Sequence, residues 1–185
     1  STDPNVDKST KTLVKMLSSD RSSAVRKAAL HAVAVAPDTL PFILGRVRDI
    51  SEDVRKAALS TLANRVNPIE LSVETRIDIL RRGLKDRSSS VRKFCAEELL
   101  FKGWFEGACE GNIFNLAELL GSKENEESVL LALKVVLSSP KASRVWDSLQ
   151  IDVNNLTHED VLVLRVLSDI KEGEEKIEKF IPSAT

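Results

Sequence analysis

Aromatic residues are scarce in this chain: its 185 residues include no tyrosine, six phenylalanines and two tryptophans. Glycine and proline are few, at seven and six, while Ala, Leu and Val are abundant. That is the composition of helices, and no strand pattern emerges anywhere. No apolar run approaches the roughly 18 residues that a spanning helix needs. The N-terminus lacks a basic-then-apolar leader, so the expectation is a protein that is neither inserted in a membrane nor secreted. The two cysteines, Cys95 and Cys109, have no companion histidine and no CxxC spacing. They read as free thiols of a reducing compartment, cytoplasm or nucleus. His31 and His158 are far apart and fall in no metal spacing. There is no glycine-rich phosphate loop and no GxSxG. The expectations are no catalytic centre, no metal and no cofactor.

What is present is a repeat. The stretch Asp20-Arg21-Ser22-Ser23-Ala24-Val25-Arg26-Lys27-Ala28-Ala29-Leu30 returns as Asp49-Ile50-Ser51-Glu52-Asp53-Val54-Arg55-Lys56-Ala57-Ala58-Leu59. It returns again as Asp86-Arg87-Ser88-Ser89-Ser90-Val91-Arg92-Lys93-Phe94-Cys95-Ala96. Each copy reads Asp, five residues, Arg-Lys, and the copies start 29 and 37 residues apart. Periods of that size belong to stacked helix pairs. The fold expected is all-α, a solenoid of helical hairpins.

Apolar periodicity places the helices. Residues 1–8 have no such period and read as a frayed end. Leu13, Val14, Met16 and Leu17 mark a first helix. Ser22 stands at an N-cap position before a second with Val25, Ala28, Ala29, Ala32, Val33 and Ala36 on one stripe, ending at Pro37. A second hairpin starts near Thr39 with Pro41 in its first turn, and its return helix runs from about Ser51 to Val66, stopping before Pro68. The third has Ser72 as its cap and a return helix to about Trp104, where the glycines at 103, 107 and 111 are expected to break the pattern. These three units span 9–105. A divergent pair without the motif fills 106–140, as Ile113–Leu120 and Ser128–Leu137. Residues 141–185 form an acidic C-terminal part: a short helix over Val145–Leu149, one over Thr157–Ile170 opened by a Thr157/Asp160 capping box, and a charged one over Glu172–Phe180.

Net charge is −1, but it is unevenly spread. Residues 1–105 contain 19 Lys and Arg against 13 Asp and Glu, whereas residues 106–185 contain 8 against 15. The repeats therefore coincide with the basic part, which points to an anionic partner there. Within each motif the two basic residues divide. Arg26 and Arg55 lie at the edge of the apolar stripe, while Lys27, Lys56 and Lys93 open the wet face. An Asp in each turn and an Arg in the following helix are suited to a ladder of charged hydrogen bonds between neighbouring turns, made by Asp20, Arg26, Asp49, Arg55, Asp86 and Arg92. Lys27, Lys56 and Lys93, with the turn residues Arg21 and Arg87, would form a row at intervals of roughly 10 Å, the usual distance between packed helices. Such a row matches a phosphate backbone. Ordinary solubilising charge is the competing reading, and both stand open. Arg46, Arg48, Arg81, Arg82 and Lys85 thicken the positive side. His31 belongs on the wet face and Cys95 in the core. Trp104 and Phe105 fill the core between repeats or anchor a partner peptide.

The Asp-x5-Arg motif on helical hairpins resembles HEAT repeats. The run Arg82-Gly83-Leu84-Lys85-Asp86-Arg87-Ser88-Ser89-Ser90-Val91-Arg92, continuing through Leu99-Leu100 to Trp104 and Gly111-Asn112-Ile113 with Leu116, Leu119 and Leu120, is more specific. With Val47-Arg48-Asp49 and Val54-Arg55-Lys56-Ala57-Ala58-Leu59, it resembles the CAP-G-type HEAT subunit of condensin, the chromosome-compacting complex. The resemblance covers about Leu13 to Ser138. It implies a piece of a longer curved solenoid that binds the kleisin subunit and, with it, double-stranded DNA without sequence specificity; the ATPase belongs to other subunits. The location implied is the nucleus and the chromosome. The alternatives are HEAT arrays that bind only protein, of the nuclear-transport, phosphatase-scaffold or tubulin-binding kind. A HEAT-like DNA glycosylase needs a carboxylate beside concave-face aromatics, for which the first hundred residues offer only Phe42 and Phe94, with Phe101 just beyond.

Overall fold

In a computed structural model, residues 4–142, 145–146, 149–152 and 154–170 are described, with side chains from Lys8 onward. Among them every regular element is helical. α1 (Pro4–Ser19) and α2 (Ser23–Ala32) form the first hairpin. α3 (Leu40–Gly45) tightens into a 3₁₀ turn, Arg46–Arg48, and pairs with α4 (Glu52–Arg65). After a 3₁₀ turn at Pro68–Glu70 come α5 (Val73–Leu84) and α6 (Ser89–Phe94), the latter continuing as a π-helix, Cys95–Ala108. α7 (Ile113–Leu119) and α8 (Glu126–Leu137) make the fourth pair, and α9 (His158–Ser168) packs on both. The return helices stack in chain order, α2 on α4, α4 on the π-helix and the π-helix on α8. The stack is a solenoid with one continuous aliphatic core.

α4 is the middle of the stack, and its burial shows it. Val54, Arg55, Ala57, Ala58, Leu59, Thr61 and Leu62 are all buried, and no residue from 54 to 63 is exposed, so the middle of the helix is covered nearly all round. The outer helices bury one stripe each.

Three boundaries and the orientation of one helix differ from the sequence expectation. α1 already covers Pro4–Lys8, expected as a frayed end: proline at a first helical position lacks only an N–H that would be unpaired there, and its φ suits the helix. α2 ends at Ala32 rather than Ala36. Beyond it the buried Thr39 ties the loop, its hydroxyl donating to the Ala34 carbonyl at 2.6 Å and accepting from the Ala36 N–H at 3.0 Å. The stripe of α2 is also turned: Ala28 and Ala32 are exposed, and Arg26, Ala29 and Leu30 face inward. Finally, the third return helix passes straight through Gly103 and Gly107. Its buried residues come in pairs five apart, Leu99-Leu100 then Trp104-Phe105, a step that suits the i→i−5 bonding of a π-helix. Trp104 and Phe105 are thus core residues, and Glu110 and Gly111, both at positive φ, end the element.

The Thr157/Asp160 capping box is present in full. Of the helix expected over Val145–Leu149, residues 145, 146 and 149 are described; the chain is helical at 145–146 and not at 149, and the helix expected over Glu172–Phe180 lies outside the described residues.

Two glycines allow close approach of neighbouring helices. A Cβ on Gly103 would stand 3.4 Å from the Ala63 carbonyl oxygen of α4. One on Gly83 would lie 2.3 Å from Cys95 Sγ, so α5 can seat against the π-helix only without a side chain there. Gly83→Ala should therefore destabilise the chain by about 1–3 kcal/mol, the usual cost of overpacking, despite alanine's better helix propensity. Urea denaturation checks this, and Cys95→Ala in the same chain should recover only part of the loss, because it removes the Sγ contact but keeps the Cys95 Cβ, 2.8 Å from the new methyl.

Candidate functional site

The three turns share one local geometry. In each, the aspartate Oδ1 accepts the N–H of the residue two further on: Ser22 to Asp20 at 2.8 Å, Ser51 to Asp49 at 2.9 Å and Ser88 to Asp86 at 2.8 Å. This closes the turn and opens the next helix. The following arginine reaches back to the carbonyls of the same turn. Arg26 Nη1 donates to Asp20 O (2.8 Å) and Arg21 O (3.2 Å), Arg55 Nη1 to Asp49 O (2.9 Å) and Ile50 O (3.2 Å), and Arg92 Nη1 to Asp86 O (2.6 Å) and Arg87 O (3.1 Å).

The other guanidinium nitrogens of the first two arginines reach forward to the next repeat. Arg26 grips Asp49 through Nε at 2.8 Å and Nη2 at 2.6 Å; Arg55 grips Asp86 through Nε at 2.7 Å and Nη2 at 2.8 Å. Both are bidentate pairs. Arg26 and Arg55 are buried rather than lying at the stripe's edge. Two residues of the expected ladder stand outside these rungs: the Asp20 carboxylate receives no arginine among the described residues, and Arg92 is exposed and meets no carboxylate among them. The pairs hold their own charge states. Hydrogen bonding to Asp49 and Asp86, opposed by burial, keeps Arg26 and Arg55 above the ordinary guanidinium value. Burial pushes Asp49 and Asp86 up, but the arginine and backbone hydrogen bonds together outweigh it and hold both below the usual carboxylate range.

The expected lysine row is uneven. Lys27 is exposed and has no partner among the described residues. Lys56 is half-buried and donates to Ser90 Oγ across to α6 at 2.9 Å, and Lys93 pairs with Glu97 at 3.9 Å. Arg21 is exposed, and Arg87 Nη2 donates to the Ile50 carbonyl at 2.8 Å.

A denser basic group lies between the second and third turns. Arg48, Arg81 and Arg82 converge on Asp78, at 3.0, 3.2 and 2.8 Å. Burial pushes Asp78 up, but these three hydrogen bonds reverse that and bring it to about 2. The cleft beside it, about 490 Å³, is lined by Arg48, Ile50, Arg81, Arg82, Lys85 and Arg87 together with the two ladder aspartates. Lys85 also faces Glu127 at 3.4 Å. Three guanidiniums on one carboxylate leave positive charge in excess, displayed on side chains that at Arg48 and Arg81 are 60% exposed. Sequence reasoning named the arginines but missed Asp78 as their hub; its i, i+3 and i+4 spacing to Arg81 and Arg82 was the available signal.

The remaining reactive groups are ordinary. His31 is exposed, and His158 Nε2 lies 3.2 Å from the Ser122 carbonyl. Cys95 and Cys109 are buried free thiols, pushed by burial up to about 12 and about 11, which leaves them protonated and unreactive at neutral pH. No group of three or more potential metal ligands occurs among the described residues, and no described helix is long and apolar enough to cross a membrane.

Buried turn-to-turn Arg–Asp rungs on stacked hairpins define the class, an α-solenoid of HEAT-type hairpins. The family profile of HEAT repeats matches residues 10–101. The chain is 33% identical over 181 residues to condensin complex subunit 3 of Xenopus laevis and 32% identical over 179 residues to that of Homo sapiens, covering 91% and 90% of this chain. It is 37% identical over 123 residues to the Schizosaccharomyces pombe protein of the same name. In structure it is similar to the crystal structure of the S. pombe condensin Cnd3-Cnd2 subcomplex, at a TM-score of 0.79 and 30% identity over 94% of this chain. The chain belongs with the HEAT-repeat subunits of condensin, of the subunit 3 type. It spans 17% of the length of the frog and human relatives and 23% of the matched chain in the solved structure.

The ladder carries a pH dependence whose sign is fixed. Asp49, Asp78 and Asp86 each have a folded pKa below the unfolded value of about 3.9. Their contribution is complete above that value and is lost as the pH falls through the folded pKa, about 2 for Asp78. Urea midpoints should therefore hold steady from neutral pH down to about pH 5 and drop steeply below about pH 4. Asp86→Asn should lower the neutral plateau and flatten the acid limb.

Proposed function

We propose that this chain is a non-catalytic scaffold segment of a condensin HEAT subunit, which binds the kleisin subunit and contributes to sequence-independent binding of double-stranded DNA in chromosome condensation. The observation that carries the DNA part is the arginine-rich cleft between the second and third turns, where exposed guanidiniums outnumber the carboxylate they share. Guanidinium groups suit phosphate oxygens and carry no base information by themselves. Arg21, Lys27, Lys56, Arg87 and Lys93 extend the positive surface along the repeats, with Lys27 and Arg21 the readiest to meet a phosphate because both are exposed, whereas Lys56, Arg87 and Lys93 are engaged with Ser90, the Ile50 carbonyl and Glu97. The kleisin part is supported by the similarity to a chain solved as a Cnd3-Cnd2 subcomplex. The location that follows is the nucleus and its chromosomes. A scaffold that binds protein alone is the competing reading.

Fluorescence anisotropy of a short labelled duplex separates the two. Binding should weaken steeply with added salt, since each neutralised phosphate releases counterions, and should not depend on base sequence. Replacing Arg48, Arg81 and Lys85 by Glu should weaken it about tenfold or more and reduce the salt slope by about one for each phosphate that is no longer neutralised. The triple change Lys27, Lys56 and Lys93 to Glu should weaken it less, because two of those lysines are already engaged. No binding at low salt would remove the DNA role and leave the protein-only scaffold. Calorimetry with a kleisin segment tests the other half.

A further inference from the structure

Asp78 differs from the two ladder aspartates that line the basic cleft. Asp49 and Asp86 are enclosed in the rungs, their side chains 2% and 9% exposed, whereas that of Asp78 is 32% exposed. Its Oδ2 accepts from Arg48 Nη2 and Arg82 Nε, and its Oδ1 from Arg81 Nη2. Each of these three guanidiniums donates through one nitrogen, and the rest of its fork meets no acceptor among the described residues. Arg26 and Arg55, by contrast, each donate through three nitrogens. We propose that Asp78 is a built-in competitor for the phosphate this cleft takes: it gathers arginines of two hairpins around one anionic centre and limits affinity because it must share or yield them. The inference rests on the DNA reading of the cleft and adds what sets its strength.

Arg48 comes across from the 3₁₀ turn after α3, while Arg81 and Arg82 belong to α5. Three cations this close repel one another, and a shared carboxylate is what holds them convergent. Guanidinium N–H groups meet carboxylate and phosphate oxygens in the same way. A phosphate entering the cleft therefore finds its donors assembled, but it also finds a negative charge already among them. Arg48 and Arg81, each 60% exposed, are free to swing from carboxylate to phosphate, whereas Arg82, at 32%, is more confined. The other carboxylate at the edge of the cleft, Glu127, faces Lys85 at 3.4 Å on a side chain 92% exposed, and so restrains its partner little. A carboxylate that only anchored the arginines would have the opposite effect: its loss would scatter them and weaken phosphate binding.

The test compares the wild-type chain with Asp78→Asn, using anisotropy of a labelled duplex and calorimetry with inorganic tripolyphosphate as a second probe. Asp78→Asn should tighten duplex binding roughly threefold to tenfold at fixed salt. It should also steepen the logarithmic salt dependence by about 0.9, the value for one further neutralised phosphate. In a chain carrying Arg48→Ala and Arg81→Ala the same change should gain less than about twofold, because the arginines that it frees are gone. Asp78→Glu, which keeps the charge, should stay within about twofold of wild type; circular dichroism confirms that each variant folds. Unchanged or weaker duplex binding by Asp78→Asn overturns the inference and leaves the DNA reading in place. If neither chain binds the duplex, the DNA reading falls. Tripolyphosphate then decides the competitor role: binding tightened about threefold or more by Asp78→Asn upholds it, and no gain overturns it as well.

Discussion

The structure depends on one repeated interaction, an arginine that closes its own turn and grips the aspartate of the next. Burying a guanidinium and a carboxylate away from water is costly, and the attraction between them offsets that only when the remaining donors and acceptors are also satisfied. Here they are. Each rung combines two forward bonds, two bonds to carbonyls of the arginine's own turn, and a backbone N–H on the aspartate. The geometry requires both turns to be in place, so it fixes the offset between neighbouring hairpins. The aliphatic contacts, being non-directional, would allow several offsets. The rungs supply register and the core supplies most of the stabilisation.

Legibility in the sequence followed from how local each feature was. The hairpins, the Thr157/Asp160 box and the pairing of turn Asp with helix Arg all rest on spacings within a few residues, and these could be read directly. The inward turn of α2 could not, because alanine satisfies either face and only the burial of Arg26 by Asp49, twenty-three residues on, decides the matter. The π-helix was hidden for a related reason: the three-and-four template was applied to a stretch whose apolar pairs recur every five. By composition Gly103 suggests a helix breaker and Gly83 only part of a motif, whereas each makes room for another helix. The hub role of Asp78 depends on Arg48 coming across from the neighbouring hairpin.

The division of labour between basic residues now has a physical basis. Arg26 and Arg55 are internal and saturated, so their charge is neutralised within the fold. Arg48, Arg81 and Lys85 are displayed, share too few carboxylates and remain available to a polyanion. Lys56 and Lys93 fall between these extremes. A net charge of −1 for the whole chain therefore coexists with 19 Lys and Arg against 13 Asp and Glu over residues 1–105, and within that part with exposed guanidiniums crowded on Asp78.

The central claim is that the rungs couple adjacent repeats. A double-mutant cycle on Arg55→Ala and Asp86→Ala, read by urea denaturation at neutral pH, tests it most directly. Each single change should cost about 3–5 kcal/mol because it strands the other charge. The double change should cost clearly less than the sum, by about 2 kcal/mol or more. Simple additivity of the two single effects would contradict the account and leave the hairpins held in register by apolar packing alone.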